Sequence, residues 1–368
     1  MPLRAADAVG TLGTDADRPL TGEWSEARIL RWLREDDEPR LATLWQAADT
    51  VRRRTVGDPV HLRGLIEVSN HCARTCAYCG INARNTALRR YRMNHAEIMA
   101  SAQQAVGLGC GTVVMQAGED DGIRADWLAD AIRAIKAEYG LAVTLSLGER
   151  LVDELAGWRE AGADRYLLRF ETSDAALYAR IHPPRAGRTC DRFAILGTLR
   201  ALGYEVGSGV MVGIPGQRYE SLARDIRLFA ELDLDMIGVG PFVPHPATPL
   251  GGAADAADAT MDQVPNTAAM ACKVVALARL VRPDANIPST TALATIDRVG
   301  GYAAGLRCGA NVVMPNVTPA EYRRCYEIYP AKVCLHDEFT ATRAALEERL
   351  GRLGRYIATG PGHRLRGC

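Results

Sequence analysis

A chain of 368 residues exceeds an average domain, yet an αβ barrel with insertions reaches this length as one unit with a large core. Lys+Arg and Asp+Glu each number 44, so no net charge steers the protein toward nucleic acid or a membrane surface. The opening "MPLRAADAVGTLGTDADRP" has no apolar export segment and no apolar run approaches membrane-spanning length, so the expected compartment is cytoplasmic and its cysteines reduced.

Residues 1–22 are small and polar and are expected to be flexible. Residues 23–59 read as an N-terminal helical extension. Ile29, Leu30, Trp32 and Leu33, then Leu41, Leu44 and Trp45, fall at helical spacing, with a break near "DDEPR" because Pro39 disfavours a helical residue before it. Trp32 and Trp45 read as core, and the run Arg52–Arg54 as a solvated helix face. Over residues 60–330, apolar or β-branched runs alternate with amphipathic segments. The runs are "LRGLIEVSN", "GTVVMQAG", "LAVTLSLG", "DRYLLRFE", "EVGSGVMVGIP", "DMIGVGPF", "NIPSTTA" and "ANVVMP". Helix candidates between them include residues 94–109, 123–140 and 219–232. Eight strand–helix repeats with near-continuous apolar strands predict an α/β fold, a (β/α)8 TIM-type barrel; an open doubly wound sheet is the alternative. Residues 242–263 read as an irregular insertion, and residues 331–368 as a C-terminal helix with a frayed tail.

Directly after the first strand comes "NHCARTCAYCGIN", which spaces Cys72, Cys76 and Cys79 as C-x3-C-x2-C. On a first βα loop these thiols would stand at the barrel mouth, where active sites collect. A zinc site would need a fourth ligand, for which His71 or His95 is available, but there is no second pair at ribbon spacing. Buried packing thiols are a second reading. An iron–sulfur cluster is the third: three thiolates on a 4Fe-4S cube leave one iron open to a small molecule.

This spacing, with Tyr78 before the last cysteine and a strand ahead of it, resembles the radical S-adenosylmethionine (SAM) superfamily. The resemblance implies one 4Fe-4S cluster on Cys72, Cys76 and Cys79, with S-adenosyl-L-methionine on the fourth iron and its cleavage to a 5′-deoxyadenosyl radical. The blocks "RYRMNHAEI", "VVMQAGED", "VTLSLGE", "AGADRYLLRFETS", "MVGIPGQ", "DMIGVGPFVPHPATPL", "IPSTTA" and "LRCGANVVMPN" are similar, in order, to the FeFe-hydrogenase maturase HydE family. Biotin synthase and methylornithine synthase are related groups. The resemblance places Tyr78 and the "GIPGQ" backbone near adenine, and Gln116, Gly118 and Glu119 beside the SAM amino group. Ser146 and Glu171 take the ribose and methionyl parts, and Arg192 the SAM carboxylate, where a guanidinium pairs in bidentate fashion.

Arg63, Arg165 and Arg169 fall on the first and fourth strands, and Arg165, Leu167 and Arg169 share one strand face. Guanidinium groups buried in a barrel require anions; Glu67 or Asp164 as internal partners and a bound anion are both open readings. The resemblance implies that Arg63, Thr144, Arg165, Arg169, Met236, Thr290, Thr291 and Tyr326 line a substrate cavity. It further implies an organometallic small molecule as substrate: a cysteine-bound iron complex with CO and cyanide, destined for the hydrogenase active-site cluster. A ferredoxin- or flavodoxin-type reductant and other hydrogenase maturases are the implied partners. The alternatives are a biotin synthase-like or methylornithine synthase-like enzyme on an organic substrate, and a non-catalytic iron–sulfur or zinc protein. Cys334 has no cysteine neighbours, so no second cluster is expected. Cys110, Cys190, Cys272, Cys308, Cys325 and Cys368 read as packing thiols, and His245 in "PHP" as a positioned loop histidine.

Overall fold

Eight parallel strands carry the molecule: β1 Pro59–Ser69, β2 Thr112–Ala117, β3 Ala142–Ser146, β4 Arg165–Leu167, β5 Glu205–Val212, β6 Met236–Pro241, β7 Val312–Val313 and β8 Tyr356–Ile357. They belong to a computed structural model that describes residues 20, 22–185, 191–252, 262–332 and 342–366. The ladder runs β6-β5-β4-β3-β2-β1-β7, and β8 adds to the start of β1. Closure comes from a stretch too short to count as a strand: Asn286 bridges Met236 of β6, and Pro288 bridges Val312 of β7. The eightfold strand–helix rhythm is therefore a TIM-type barrel, with its seventh strand reduced to single bridges.

Side-chain alternation sorts the strands into two faces. Ile66, Val113, Met115, Val143, Leu145, Tyr166, Val206, Val210, Ile237 and Val239 point outward and are fully or almost fully buried beneath the helices. Opposite them lie Ile98 and Ala102 of His95–Leu108, Ile132 and Ile135 of Ala125–Tyr139, and Ile226 and Phe229 of Tyr219–Glu231. The first of these helices starts on a capping box. Asn94 Oδ1 accepts the Glu97 N–H at 3.0 Å, and Glu97 Oε2 accepts the Asn94 N–H at 2.7 Å.

The two N-terminal helices, Glu26–Arg34 and Glu38–Thr55, are capped by Ser25 and Asp37, with Pro39 in the first turn of the second. Arg52 departs from the expected solvated face: it is 1% exposed and turns inward onto Asp49, Asp58 and the Gly57 carbonyl. Its neighbour Arg53 remains 65% exposed.

The C-terminal segment also departs from expectation. After the helix Arg343–Gly351 the chain forms β8, then passes beneath the barrel at the amino ends of the strands. There the Pro361 carbonyl accepts from Thr112 Oγ1 and Arg165 Nη2, both at 2.8 Å, and the Gly362 carbonyl accepts from Asn286 Nδ2 at 3.1 Å. Arg364 meets Asp235 at 2.8 Å, Asp284 at 2.8 Å and Asp233 at 3.0 Å. Through residue 366 the tail is a floor plug rather than a frayed end, because its carbonyls satisfy donors that would otherwise be buried and unpaired. No described helix is long and apolar enough to cross a membrane.

Reversing the charge at the latch should loosen the floor. Arg364→Glu, set against three aspartates, is expected to lower unfolding free energy by roughly 2–4 kcal/mol in urea titration.

Candidate active site at the barrel mouth

The cysteine loop leaves β1 at Asn70 and folds back over the mouth. Asn70 Nδ2 donates to the Arg89 and Cys325 carbonyls at 2.8 and 2.7 Å, and Oδ1 accepts the Tyr91 N–H at 2.8 Å. Arg90 donates to the carbonyls of Asn70, Ile81, Asn82 and Asn85, which locks the loop without using the thiols. Gly118 permits the close approach of this loop to β2: a Cβ there would strike the His71 carbonyl and lie 2.7 Å from the Cys72 Cβ. This contact accounts for the glycine directly, beside the cofactor role that the resemblance implied.

Cys72, Cys76 and Cys79 are free thiols that line one cavity. Burial raises all three thiol pKa values, Cys79 to about 12. Thiols whose ionisation burial disfavours fit a site whose ligands ionise against a metal. Among the described residues, only Glu119, Glu149 and His182 bring three potential ligand atoms within 4.8 Å of one another. The three sulfurs are spread more widely than one ion, at about 2.3 Å from each thiolate, can hold. That spread suits a multi-iron cluster better than zinc. The carboxylate–histidine trio is no metal site either, since two guanidiniums already fill it. Arg74 Nη2 and Arg192 Nε lie 2.9 and 3.0 Å from Glu149 Oε1, and Arg74 Nε is 3.3 Å from Glu119 Oε2.

The same cavity is lined by Tyr78, Gln116, Gly118, Glu119, Ser146, Glu171 and Arg192, so every cofactor residue expected from the sequence converges beside the thiols. Burial, reinforced by Glu149 and partly offset by Arg74 and Arg192, pushes the Glu119 carboxyl up to about 7. Burial opposes the charge on Arg192, yet Tyr78, Tyr178, Glu149 and Glu171 hold its guanidinium firmly protonated. Tyr78 packs against a small apolar cluster that includes Ile181, Met211, Ile214 and Phe242. Gly148, at φ +72°, leaves room for Glu119, whose Cγ would collide with any Cβ at that position.

Sequence reasoning missed Arg74, Glu149 and His182. His182 Nδ1 is 3.0 Å from Cys76 Sγ, Arg192 Nη2 is 2.9 Å from His182 Nε2, and burial drives the ring's pKa down to about 4. Arg74 and Glu149 stand in quoted blocks, inside the cysteine loop and at the end of "VTLSLGE". His182 belongs to no motif and joins only through the fold.

Deeper in the barrel a second cavity shares Gln116, Ser146, Leu167 and Arg169 with the first. Arg63, Thr144, Arg169, Met236, Thr290 and Thr291 line it, while Tyr326 borders the upper cavity. Thr290 and Thr291 do not end a strand: Thr290 caps the helix Thr291–Ile296. Polar atoms left without partners here include Thr144 Oγ1, Arg63 Nε, Arg169 Nε and Glu67 Oε2, which marks a cavity shaped for a polar guest.

Arg165 is the correction. It lines neither cavity and is fully buried one layer lower, bonded to Glu205 at 2.5 Å, Thr112 at 3.1 Å, the Pro361 carbonyl at 2.8 Å and His363 at 2.9 Å. The inward face did bring it into the barrel, but Glu205, Thr112 and the tail together use every arm of its fork. The anticipated internal anions are engaged elsewhere, Asp164 with Lys136 at 2.9 Å and Glu67 with Lys332. Lys332, also missed, lines the lower cavity from just beyond the expected barrel boundary. His245 accepts the Ala247 N–H at 3.1 Å, the loop role expected of it. Cys190, Cys334 and Cys368 lie outside the described residues.

The sequence profile described as the radical SAM superfamily matches residues 66–229. The chain is 45% identical over 312 residues to the [FeFe] hydrogenase maturase subunit HydE of Thermotoga maritima, covering 85% of this chain and 86% of that protein. It is 30% identical over 324 residues to 3-methylornithine synthase of Methanosarcina barkeri, covering 86% and 85% of the two chains. The crystal structure of a methylornithine synthase superposes with a TM-score of 0.74 at 25% identity, covering 92% of this chain and 95% of that one.

Two outcomes test the site's electrostatics and donor set. Glu119 carries a raised folded-state pKa, so its stability cost is absent below the unfolded value of 4.5 and grows as pH rises to about 7. In cofactor-free protein, Glu119→Gln should therefore raise stability above neutral pH, by at most on the order of 3 kcal/mol, and not at pH 4. Cys76→Ala should keep the native circular dichroism while anaerobic reconstitution with iron and sulfide loads far less iron than wild type.

Proposed function

Because this chain belongs to the radical SAM superfamily and, within it, to the HydE family of [FeFe]-hydrogenase maturases, we propose that it acts on a small iron complex during assembly of the hydrogenase active-site cluster. The observation that carries the proposal is a pair of communicating cavities. One is ringed by three free thiols, and the other is polar, cationic and equipped with unpartnered atoms.

Cys72, Cys76 and Cys79 would hold one 4Fe-4S cluster, and the donor chemistry fits: three soft thiolates, spread beyond single-ion reach, on a loop locked by Arg90. Such a cluster would supply, when bound, the one-electron reduction of the SAM sulfonium that radical SAM chemistry requires. The chain's own groups bind and orient. Arg192 offers a guanidinium to the SAM carboxylate, Glu119 and Glu171 accept from ammonium or hydroxyl groups, and Tyr78 with its apolar neighbours receives the adenine.

The lower cavity takes the substrate. Arg63, Arg169 and Lys332 face it with Glu67 as the opposing carboxylate, a balance that favours an anionic guest such as a cyanide-bearing, cysteine-bound iron carbonyl. The tail plug closes the end away from the thiols, which keeps water from a radical formed above. The reaction belongs in the cytoplasm with a ferredoxin- or flavodoxin-type reductant and another maturase that delivers the substrate.

Co-expression with FeFe-hydrogenase and the remaining maturases tests the assignment: omission of this protein should leave the hydrogenase inactive, and restored activity without it would overturn the reading. Thr144→Val removes one unpartnered hydroxyl at constant shape. It should leave stability and SAM cleavage unchanged or improved while lowering hydrogenase activation about tenfold.

A further inference from the structure

Asp225 lies on the helix Tyr219–Glu231, is fully buried, and lines neither cavity. An isolated carboxylate in such a place is costly unless something compensates it. Its Oδ1 accepts the Ser173 N–H at 2.6 Å, whereas Oδ2 and the Ser173 hydroxyl lack well-formed partners. Burial pushes the carboxyl up to about 7, with Ser173, Thr172 and Arg224 offsetting part of the effect.

The compensation lies in the backbone that Asp225 holds. Two residues earlier, Glu171 has φ +64°, and the Thr172 N–H donates to the Phe170 carbonyl at 2.8 Å across it. An i to i+2 bond around a left-handed residue is the strained form of γ-turn, and a side chain with a Cβ persists there only when its surroundings over-determine it. On one side β5 does so: the Glu171 N–H donates to the Gly209 carbonyl at 3.0 Å, and the Glu171 carbonyl accepts from Met211 at 3.2 Å. On the other side the holding contact is Ser173 N–H to Asp225. Asp225 is not needed to start the following helix, Ala175–Ile181, because Asp174 already caps it through Ala176 and Leu177 at 3.0 Å.

We propose that Asp225 is a positioning residue for the cofactor site: by clamping the turn after Glu171 it fixes the Glu171 carboxylate in the upper cavity. This rests on Glu171 contacting SAM.

The test is the dissociation constant of S-adenosylhomocysteine for the reconstituted protein, measured by titration calorimetry with iron content and circular dichroism matched to wild type. Asp225→Ala should weaken binding about tenfold, as should Glu171→Ala, and the double variant should be no weaker than Glu171→Ala alone. Asp225→Asn, whose amide oxygen can still accept from Ser173, should bind within about twofold of wild type. Ser173→Pro, which deletes the donor and leaves Asp225 in place, should reproduce the loss and serves if Asp225→Ala does not fold. Wild-type affinity in Asp225→Ala, or additive losses in the double variant, overturns the positioning role while the Glu171 assignment stands. Wild-type affinity in Glu171→Ala removes the cofactor role of Glu171 and the inference with it.

Discussion

A cation inside a barrel must be answered inside the barrel, and this constraint organises the whole interior. Desolvating a guanidinium or ammonium is costly, and only a nearby anion or a set of carbonyls recovers the loss. Most inward cations here have such an answer. Arg169 pairs with Glu171 at 3.0 Å, Lys332 with Glu67, Arg165 with Glu205, and Arg74 and Arg192 with Glu119 and Glu149. Arg63 is the weakest case. Its neighbours are the Met236 sulfur at 2.8 Å and the Gly362 carbonyl at 3.3 Å, and burial drives its pKa well below the usual arginine value.

Those pairings divide the barrel into ends with different tasks. At the amino ends of the strands the tail supplies neutral acceptors and Arg364, so the floor is satisfied by the chain itself. At the carboxyl ends the thiols and the Glu119–Glu149–Arg74–Arg192 cluster leave a cavity with capacity to spare. A βα barrel normally concentrates chemistry at that end because its loops vary freely there while the opposite end maintains stability. This chain follows the rule through specific residues: the amino-end donors Thr112, Arg165 and Asn286 all reach carbonyls of the tail, whereas Thr144 on β3 has a hydroxyl without a partner.

The fold was largely legible because both of its signals are local. Alternation of apolar runs with amphipathic segments marks parallel strands and covering helices, and cysteine spacing after the first run marks the mouth. The seventh strand was less so, since "NIPSTTA" has strand composition but closes the ring through isolated bridges and then caps a helix. Of the residues expected around the upper cavity, Gln116, Gly118, Glu119, Ser146 and Glu171 were legible because each sits within a few residues of a strand end, whereas Tyr78 and Arg192 came from the family resemblance. Arg165 was misread for an equally physical reason: period-two alternation tells that a residue faces inward but not at which height, and height decides between cavity and floor. Lys332, His182 and the tail came from long-range packing, as did the partner of Arg165. Glu205 is 40 residues from Arg165 in sequence, and Pro361 is 196 residues away.

Arg169 joins the two halves of the site. It lines both cavities, its Nη2 reaches the Val210 carbonyl and the Glu171 carboxylate, and its Nε faces the barrel interior without a partner. Glu171, in turn, occupies a left-handed backbone position fixed by β5 on one side and by Ser173 on the other. The guanidinium that a guest in the lower cavity would meet is therefore the same one that pairs with the Glu171 carboxylate in the upper cavity.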